Sequence, residues 1–303
     1  MDIKAWLSCH SHAATSIFHI WRYCGEWKTS VHITGNASFH AILEGECLLT
    51  FENKRERILL SEGDIIFFFS NSPFYLLSSL TTTSDEHRAG ETIPVNNTHV
   101  TDTTLLRGFL QPTNYQSELL FALMPEYLLI RPESDGNLRL QKFFDLLKIE
   151  CWQTEAECAL TITRLIDLLL VYIVEEILDE HLVDVNLLLA SKSEKLSALI
   201  MSIIHSPAEK WSVGEMANLM NMSRSTFIRR VQEICNYSPN ELTTRLRINI
   251  AGNLLRRGCK VCDTSQRVGY DSVTGFYNAF RKVTRMSPSE FIKAIQINEL
   301  KKR

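Results

Sequence analysis

The chain has no uninterrupted apolar run long enough to cross a membrane. A membrane-spanning helix needs roughly 18 consecutive apolar residues, and the longest candidate, 165–178, contains Asp167, Glu175 and Glu176. The N-terminus, MDIKAWLSCHSH, also lacks the basic segment and apolar block of a secretory signal peptide. These absences predict a cytoplasmic protein, and we expect its eight Cys to be reduced thiols rather than a disulfide framework.

The net charge is close to zero, but the charges are unevenly divided. The 303 residues carry 32 Lys and Arg against 35 Asp and Glu, and 45% hydrophobic residues exclude disorder over the whole chain. At about 100–200 residues per domain, this length predicts two domains. Residues 191–303 hold 19 Lys and Arg against 9 Asp and Glu, a net charge of +10, which leaves −13 for the rest. The asymmetry indicates a polyanion partner for the C-terminal part, unless it is an accident of surface composition.

Residues 39–78 form a series of short apolar runs separated by turn residues, among them Gly45 and Gly63. Short β-prone runs at this spacing predict an antiparallel sandwich or barrel. Residues 81–104 are rich in Thr, Ser, Asp, Asn and Glu and are predicted to form a long mobile loop. From Leu138 onward the apolar spacing becomes helical and predicts two helices, which either pack in a core or form a dimer seam.

The basic part contains an internal repeat. Six positions of the first copy return 49 residues later: Ser223, Ser225, Phe227, Ser238, Pro239 and Glu241 become Ser272, Thr274, Phe276, Ser287, Pro288 and Glu290. Each copy predicts a helix, a tight turn and a second helix, over 213–234 and 261–283. Asn221 and Gly269 take the turn positions, where a residue tolerant of positive φ is needed, and Ser223 caps a helix.

The second helix of each copy presents polar residues on the face opposite its buried residues. Between the copies, Ser238 and Pro239 open a longer helix, with Glu241 at the capping-box position and a stop at Gly258. Two helices held by a rigid connector suit successive major-groove segments about 10 bp apart. A plain helical bundle would not require the outward Arg, Ser, Thr and Asn side chains or the charge of +10.

Five blocks resemble the AraC/XylS family of transcription regulators. They are Trp211-Ser-Val-Gly-Glu-Met-Ala217, Met222-Ser-Arg-Ser-Thr-Phe227, Ser238-Pro239, Ala251-x-x-Leu-Leu-Arg256 and Val268-Gly-Tyr-Asp-Ser272. Each block lies at the family spacing, and the resemblance covers roughly residues 195–295. It implies a seven-helix module with two helix-turn-helix units that binds promoter DNA and usually activates transcription.

The sequence departs from the family pattern mainly in the second unit. Thr264 and Ser265 replace the usual Ile-Ala, and Asn278 replaces the usual Arg. The family glycines before Ser-Pro are also replaced, by Asn236 and Tyr237 in the first unit and by Arg285 and Met286 in the second. The second unit is therefore expected to bind bases weakly or to serve mainly for phosphate contact.

The acidic part resembles the small cupin-type barrel that precedes this module in part of the family. The resemblance rests on Phe39-His-Ala-Ile-Leu-Glu-Gly45, Leu60-Ser-Glu-Gly-Asp64 and Pro73-Phe74. It implies a sensory and dimerising domain with a ligand pocket in the barrel. Enzymatic cupins bind a metal through clustered His, whereas His40 stands alone and Phe74 lies where a second His is common. We therefore predict no metal and no cofactor.

The cysteines suggest a redox function. Some relatives of this barrel type sense oxidants through a Cys near the barrel entry, and Cys24 lies in a comparable place. The alternative is that Cys24 and Cys47 are small buried hydrophobes. Cys259 and Cys262 form a lone C-x-x-C pair, which cannot complete a structural zinc site.

Together, these patterns predict a two-domain α+β protein. An antiparallel cupin-like barrel occupies 1–135, a helical dimerisation and linker segment 136–190, and a double helix-turn-helix domain 195–296. The predicted base-reading residues are Ser225, Thr226, Arg229, Gln232, Thr274, Tyr277 and Asn278, and the predicted phosphate contacts are Arg224, Arg230, Arg281 and Lys282. The expected partners are double-stranded promoter DNA, RNA polymerase, a second copy of the chain and a small-molecule or redox effector.

Three other functions are weighed against a sequence-specific regulator without catalysis. A DNA-alkylation repair protein joins a similar module to a methyl-accepting Cys in a multi-Cys metal setting, but residues 1–190 hold only scattered Cys. A metal-dependent cupin enzyme needs more His than His40. A non-specific architectural DNA binder would show little preference between promoter and random DNA.

Overall fold

The structure is a computed structural model, and it describes residues 13–31, 37–51, 57–69, 73–78, 102–132, 138–153, 158–179 and 183–301. Tertiary contacts divide the chain into two compact units. The sheet unit comprises His12–Thr113 with Glu126–Glu176, and the helical unit comprises Asn114–Pro125 with Ile177–Arg303. All described strands lie in the sheet unit, which confirms the predicted two-domain α+β class.

The sheet unit contains two antiparallel sheets. The strands are β1 (Ala13–Tyr23), β2 (Lys28–Val31), β3 (Ala37–Glu44), β4 (Glu46–Phe51), β5 (Arg57–Ser61), β6 (Ile65–Phe68), β7 (Phe74–Ser78), β8 (Thr103–Pro112) and β9 (Tyr127–Ile130). Five of them pair in the order β1-β8-β3-β6-β9, and four pair in the order β2-β7-β4-β5. The strands predicted within 39–78 are confirmed as β3 to β7.

Gly45 lies where the chain passes from the five-stranded to the four-stranded sheet. Its φ is +76°, and a Cβ there would collide with the Asp102 carbonyl oxygen, so only glycine fits this turn. Most of the loop predicted over 81–104 lies outside the described residues. Its last two residues, Thr103 and Thr104, are instead the start of β8, because they pair with β1 and are buried.

Between β8 and β9 the chain forms helix α1 (Tyr115–Leu123), which belongs to the helical unit. The two helices predicted after Leu138 are confirmed as α2 (Leu138–Trp152) and α3 (Cys158–Asp179). They pack against each other, with the Phe143 and Tyr172 rings edge to face at 6.2 Å. Across the described residues, no helix combines the length and the apolar character that a bilayer crossing requires.

The helical unit continues through eight further α-helices among the described residues. They are α4 (Val185–Leu188), α5 (Glu194–His205), α6 (Val213–Leu219), α7 (Arg224–Cys235), α8 (Pro239–Arg256), α9 (Val261–Arg267), α10 (Val273–Thr284) and α11 (Pro288–Lys301). Helices α5 to α11 are the seven helices that the family resemblance implies.

Helix α1 packs against α5, and its C-terminal end is held by α8. The Asn249 side chain donates to the carbonyl oxygen of Leu123 at 3.3 Å, and the Asn253 side chain donates to that of Met124 at 3.1 Å. The domain boundaries placed at 135 and 190 stay predictions, and the helical unit is not continuous in sequence. The reason is that a segment lying between two strands in sequence packs on the helical unit in space.

Candidate DNA-binding surface

The first helix-turn-helix consists of α6, a tight turn and α7. Ser212 caps α6 in a closed capping box with Glu215, whose pKa is lowered by the hydrogen bonds from Ser212. The turn residue Asn221 has φ of 56°, as predicted. Ser223 caps α7, and its hydroxyl accepts from the Thr226 backbone N–H at 3.3 Å. Local side chains thus set both helix starts and the turn.

The second unit, α9 and α10, is built in the same way. Its turn residue Gly269 has φ of +81°, and an added Cβ would lie 2.7 Å from Ala208 Cα. Ser272 caps α10 by accepting from the Gly275 N–H at 3.1 Å. Asn236 and Arg285, which replace two family glycines, end α7 and α10 with φ of 58° and 65°. The left-handed C-cap geometry is therefore kept without glycine.

The connector helix α8 is 18 residues long, or about 27 Å at 1.5 Å per residue. Ser238 caps it and Pro239 opens it, as predicted. The Glu241 carboxylate accepts from Arg245 Nε at 3.3 Å, whereas the sequence predicts a capping box with Ser238. The equivalent box at α11 does close, because Glu290 accepts from the Ser287 N–H at 2.7 Å.

Arg247, on α8, joins three parts of the helical unit. Its Nε donates to the carbonyl of Pro207 at 2.8 Å, one Nη to that of Glu209 at 2.8 Å, and the other to that of Gly269 at 3.2 Å. One guanidinium thereby ties the connector to the loop after α5 and to the turn of the second unit. These bonds fix the placement of the second helix-turn-helix on the connector.

Asp184, at the start of α4, organises a second polar cluster, which sequence analysis did not find. Arg245 donates to its carboxylate at 2.8 Å, and the Tyr237 hydroxyl donates at 3.0 Å. The Arg245 guanidinium also lies 4.2 Å from the Tyr237 ring centroid, and Asn186 donates to the Tyr237 hydroxyl at 3.0 Å. Burial raises the pKa of Tyr237, which keeps the hydroxyl as a donor. Tyr237, another replacement of a family glycine, thus connects α4 to the end of α7.

The recognition helix α7 exposes every contact residue predicted on it. Phe227, Val231 and Cys235 are buried. The exposed residues of this helix include Arg224, Ser225, Thr226, Arg229, Arg230 and Gln232. Arg229 lies 3.7 Å from Glu233, but both side chains are more than half exposed, so this ion pair holds Arg229 only weakly. Ile228 is also 44% exposed on this helix, and sequence analysis missed it. Their roles in base or phosphate contact stay predictions.

The second recognition helix, α10, differs in what it exposes. Thr274, Asn278, Arg281 and Lys282 are exposed. Tyr277 is half-buried, and its hydroxyl lies 3.1 Å from that of Ser289 on α11. Because a hydroxyl can donate one hydrogen bond and accept another, this contact leaves the role of Tyr277 in base contact a prediction.

The side chains of Thr264 and Ser265, which replace the usual Ile-Ala in α9, differ in their hydrogen bonding. The Ser265 hydroxyl donates to the carbonyl of Cys262, three residues earlier, at 2.7 Å. Thr264 is fully buried, and its hydroxyl has no hydrogen-bond partner among the residues that the structure describes. A buried unpaired hydroxyl destabilises the second unit's scaffold relative to Met216 at the equivalent place in α6.

Two family models match the sequence. Residues 10–179 match the model described as Cupin, and residues 216–294 match the model described as Helix-turn-helix domain. The chain belongs to the AraC/XylS family of transcription regulators. It combines the family's helix-turn-helix module with an N-terminal cupin domain.

This regulator matches two relatives over nearly their whole length. It is 29% identical over 286 residues to an uncharacterized HTH-type transcriptional regulator of Haemophilus influenzae, covering 90% of this chain and 92% of that protein. It is 24% identical over 298 residues to a putative AraC-like transcription regulator of Streptomyces antibioticus, covering 96% and 97%. A crystal structure of ToxT from Vibrio cholerae O395 aligns with a TM-score of 0.38 at 12% identity, covering 91% of this chain and 96% of that one.

The regulator's Cys24 and Cys47 occupy contrasting environments. Cys24 is exposed, so its interpretation as a buried hydrophobe is wrong, whereas Cys47 is fully buried. Desolvation and a hydrogen bond with Asp102 raise the pKa of Cys24, which disfavours the reactive thiolate. A role of Cys24 in redox sensing stays a prediction.

No three metal-ligating side chains come together in the described ranges, and the absence of a metal likewise stays a prediction.

Arg224, a predicted phosphate contact, lies over Gly214 in the first turn of α6. A Cβ at Gly214 would approach the Arg224 guanidinium to 2.8 Å. Arg224 therefore lies beside the first turn of α6, at the start of the first helix-turn-helix. The absence of a side chain at Gly214 permits this placement.

We expect Gly214→Ala to stabilise the regulator while weakening its DNA binding. Alanine favours a helix over glycine by about 0.5–1 kcal/mol, but its methyl group displaces the Arg224 guanidinium. Thermal unfolding should show a higher Tm, and gel-shift titration should show an affinity that falls by a similar factor on target and random DNA. The matched control is Gly275→Ala in α10. Its added Cβ would lie 3.1 Å from the Ser272 hydroxyl and displaces no cation. Unchanged or increased DNA affinity in Gly214→Ala would contradict the placement of Arg224.

Proposed function

We propose that this regulator binds promoter DNA sequence-specifically as a homodimer and activates transcription. The observation that carries the proposal is the pair of capped recognition helices, each with an exposed polar face, at either end of a connector fixed by Arg247. The net charge of +10 over 191–303 supports contact with phosphates along the same surface. In this proposal the protein acts in the cytoplasm, contacts RNA polymerase and performs no catalysis.

Mapping of bound DNA across the genome, together with transcript levels in a deletion strain, tests this proposal. We expect a small number of strongly bound sites next to promoters, and lower transcription of the adjacent genes after deletion. Evenly distributed binding would indicate an architectural protein instead. Higher transcription of the same genes after deletion would identify a repressor.

A homodimer is supported by exposed apolar side chains on α2 and α3. On α2 they lie eight and eleven residues after Leu138, and on α3 they lie eight residues apart, which places them on one face of each helix. Leu138 is 61% exposed, Leu146 44%, Ile149 56%, Leu160 65% and Leu168 40%. Exposed leucines and isoleucines concentrated in this way mark an interaction surface. A second copy of the chain suits this surface, because two-fold dimers, in which the same surface of both copies meets, are the commonest soluble oligomers.

We expect Ile149→Asp combined with Leu160→Asp to convert the dimer to a monomer and to weaken binding to the target site by tenfold or more. The two carboxylates would be buried without a partner in the dimer interface, and loss of bivalent binding lowers the affinity. Light scattering after size exclusion measures the mass. Leu59→Asp, at an exposed leucine of β5, is the control and should leave the mass unchanged. A double variant with the mass of the unmodified protein would place the interface elsewhere.

A further inference from the structure

The helical unit contains a cavity of about 750 Å³ that is open to solvent. Three segments line it: the loop that leads into α6, the N-terminal half of the connector α8, and the end of α9 with the turn of the second unit. This volume lies within the range of about 300–1,000 Å³ that small-molecule sites enclose. None of the predicted base or phosphate contacts lines the cavity, so it is distinct from the predicted recognition residues.

The walls of the cavity are held together without a ligand. Arg247 lines the cavity and joins its three segments through the carbonyl oxygens of Pro207, Glu209 and Gly269. A Cβ added to Gly269 would lie 2.7 Å from Ala208 Cα, so the loop and the turn are in direct contact. A ligand therefore meets a formed site, which lowers the ordering cost of binding.

Two half-buried aromatic rings give the cavity apolar surface. Trp211 in the loop and Tyr270 in the turn both line it. The Trp211 indole N–H donates to the Ser206 carbonyl at 2.9 Å, which fixes the indole ring. The Tyr270 ring lies edge to face with the buried Phe276 ring at 5.5 Å, and burial raises the pKa of Tyr270, so its hydroxyl stays protonated. These two walls suit a ligand with a flat apolar body.

The cavity also carries one unpaired charge of each sign. Lys210 lies in the loop, Asp271 follows the turn, and both side chains are exposed. Among the described residues, neither side chain forms an ion pair, although both line the same cavity. An ammonium group binds a carboxylate or phosphate, and a carboxylate binds a cationic donor. The two side chains together therefore favour a ligand with one charge of each sign over a simple anion or cation.

A DNA phosphate is the other anion that could approach Lys210. The Asp271 carboxylate in the same cavity repels a phosphate. The aromatic surface of Trp211 and Tyr270 would also stay unused in such a contact. A small zwitterion uses all four side chains.

We propose that this cavity binds a small zwitterion with an aromatic body, of the class of the aromatic amino acids. The ligand carboxylate pairs with Lys210, its ammonium group pairs with Asp271, and its ring packs against Trp211 and Tyr270. Because Lys210 precedes the first helix-turn-helix and Asp271 belongs to the second, the bound ligand links the two units. The linked units lose less conformational freedom on binding DNA, so the ligand raises the affinity for promoter DNA; only this last step rests on the proposed function.

Calorimetric titration of the full chain with L-phenylalanine tests the binding. We expect a saturable heat. Phenylalaninamide lacks the carboxylate and 3-phenylpropanoate lacks the ammonium group, so each should bind about tenfold or more weakly, because each loses one charge-assisted contact. No saturable heat with L-phenylalanine, or equal binding of the three compounds, would overturn the proposal.

Two variants assign the two charged contacts. Lys210→Met should weaken binding of L-phenylalanine about tenfold but leave binding of phenylalaninamide unchanged, since that compound has no carboxylate. Asp271→Asn should weaken binding of L-phenylalanine by a similar factor but leave binding of 3-phenylpropanoate unchanged. Lys260→Met and Asp263→Asn are the matched controls, because they remove exposed charges of the same unit that do not line the cavity. Normal binding of L-phenylalanine by either cavity variant would overturn the assigned site.

Gel-shift titration of target DNA with and without L-phenylalanine separates ligand binding from the regulatory step. We expect a higher affinity for DNA with the ligand present, and no such increase in Asp271→Asn at the same ligand concentration. Ligand binding without a change in DNA affinity would overturn the regulatory step alone. Competition between DNA and L-phenylalanine would show that DNA covers the cavity, and would also overturn that step. Absence of specific DNA binding under all conditions would count against the proposed function and not against the cavity.

Discussion

Replacing Ser225 and Arg229 together by alanine is expected to abolish discrimination between target and non-target DNA. Replacing Thr274 and Asn278 together should mainly lower affinity for all sequences. Arg229 is 74% exposed on α7, and its planar guanidinium matches the O6 and N7 acceptors of a guanine. We expect Arg229→Ala alone to cost about 1–3 kcal/mol at one base pair.

The expected asymmetry follows from the scaffolds of the two units. Helix α6 buries Met216, whereas α9 buries Thr264 at the equivalent place, with a hydroxyl that has no hydrogen-bond partner among the described residues. The cationic residues of α10, Arg281 and Lys282, lie in its last turn. Phosphate contact tolerates imprecise placement better than bidentate base recognition does. The second unit is therefore suited to positioning and the first to sequence recognition.

Binding to a library of single-base variants of the natural site measures both double variants. The Ser225 and Arg229 variant should bind all members about equally. The Thr274 and Asn278 variant should keep the original order of preference at lower affinity. Arg230→Ala, a predicted phosphate contact, is the control and should also keep that order. A change of base preference as large in the second double variant as in the first would contradict the asymmetry.

Features set by neighbouring residues were predictable from the sequence. Ser223 and Ser238 cap helices because a hydroxyl at that position reaches an N–H three residues ahead. Asn221 and Gly269 occupy turns because few residues adopt positive φ without strain. The exposed contact residues of α7 followed in the same way from the burial of Phe227 and Val231.

Features set by distant residues were not predictable. Strand β8 starts in a Thr-rich segment with a loop-like composition, and it becomes a central strand only by pairing with β1 and β3. Helix α1 lies between two strands in sequence, yet Asn249 and Asn253, more than 120 residues away, hold its end. Neither ring nitrogen of the buried His40 has a hydrogen-bond partner in the part of the chain that the structure describes. This could not be foreseen, because the sequence does not show which polar groups a buried His can reach.

The isolated fragment 191–303 is expected to bind the target site specifically but more weakly than the full regulator. It holds the net charge of +10, so phosphate attraction is retained. It lacks the exposed apolar surface on α2 and α3, so bivalent binding is lost. At physiological salt, this loss should lower the affinity for DNA more than removal of the −13 charge raises it. Gel-shift titration measures this, and a fragment with no specific binding at any salt would contradict it.

A longer fragment, 177–303, should be more stable than 191–303 because it retains Asp184. In the shorter fragment the Arg245 guanidinium and the Tyr237 hydroxyl lose the carboxylate that they bind at 2.8 and 3.0 Å. Hydrogen bonds to a charged group contribute about 1.5–3 kcal/mol, and both side chains of the ion pair are less than one quarter exposed. Thermal unfolding should therefore give a lower Tm for 191–303. Asp184→Ala in the longer fragment should reproduce part of the difference, because the shorter fragment also loses the buried Leu187 and Leu188. Lys192→Ala is the control, since no partner of Asp184 is changed. If Asp184→Ala left the Tm of 177–303 unchanged, the cluster around Tyr237 would not stabilise the DNA-binding module.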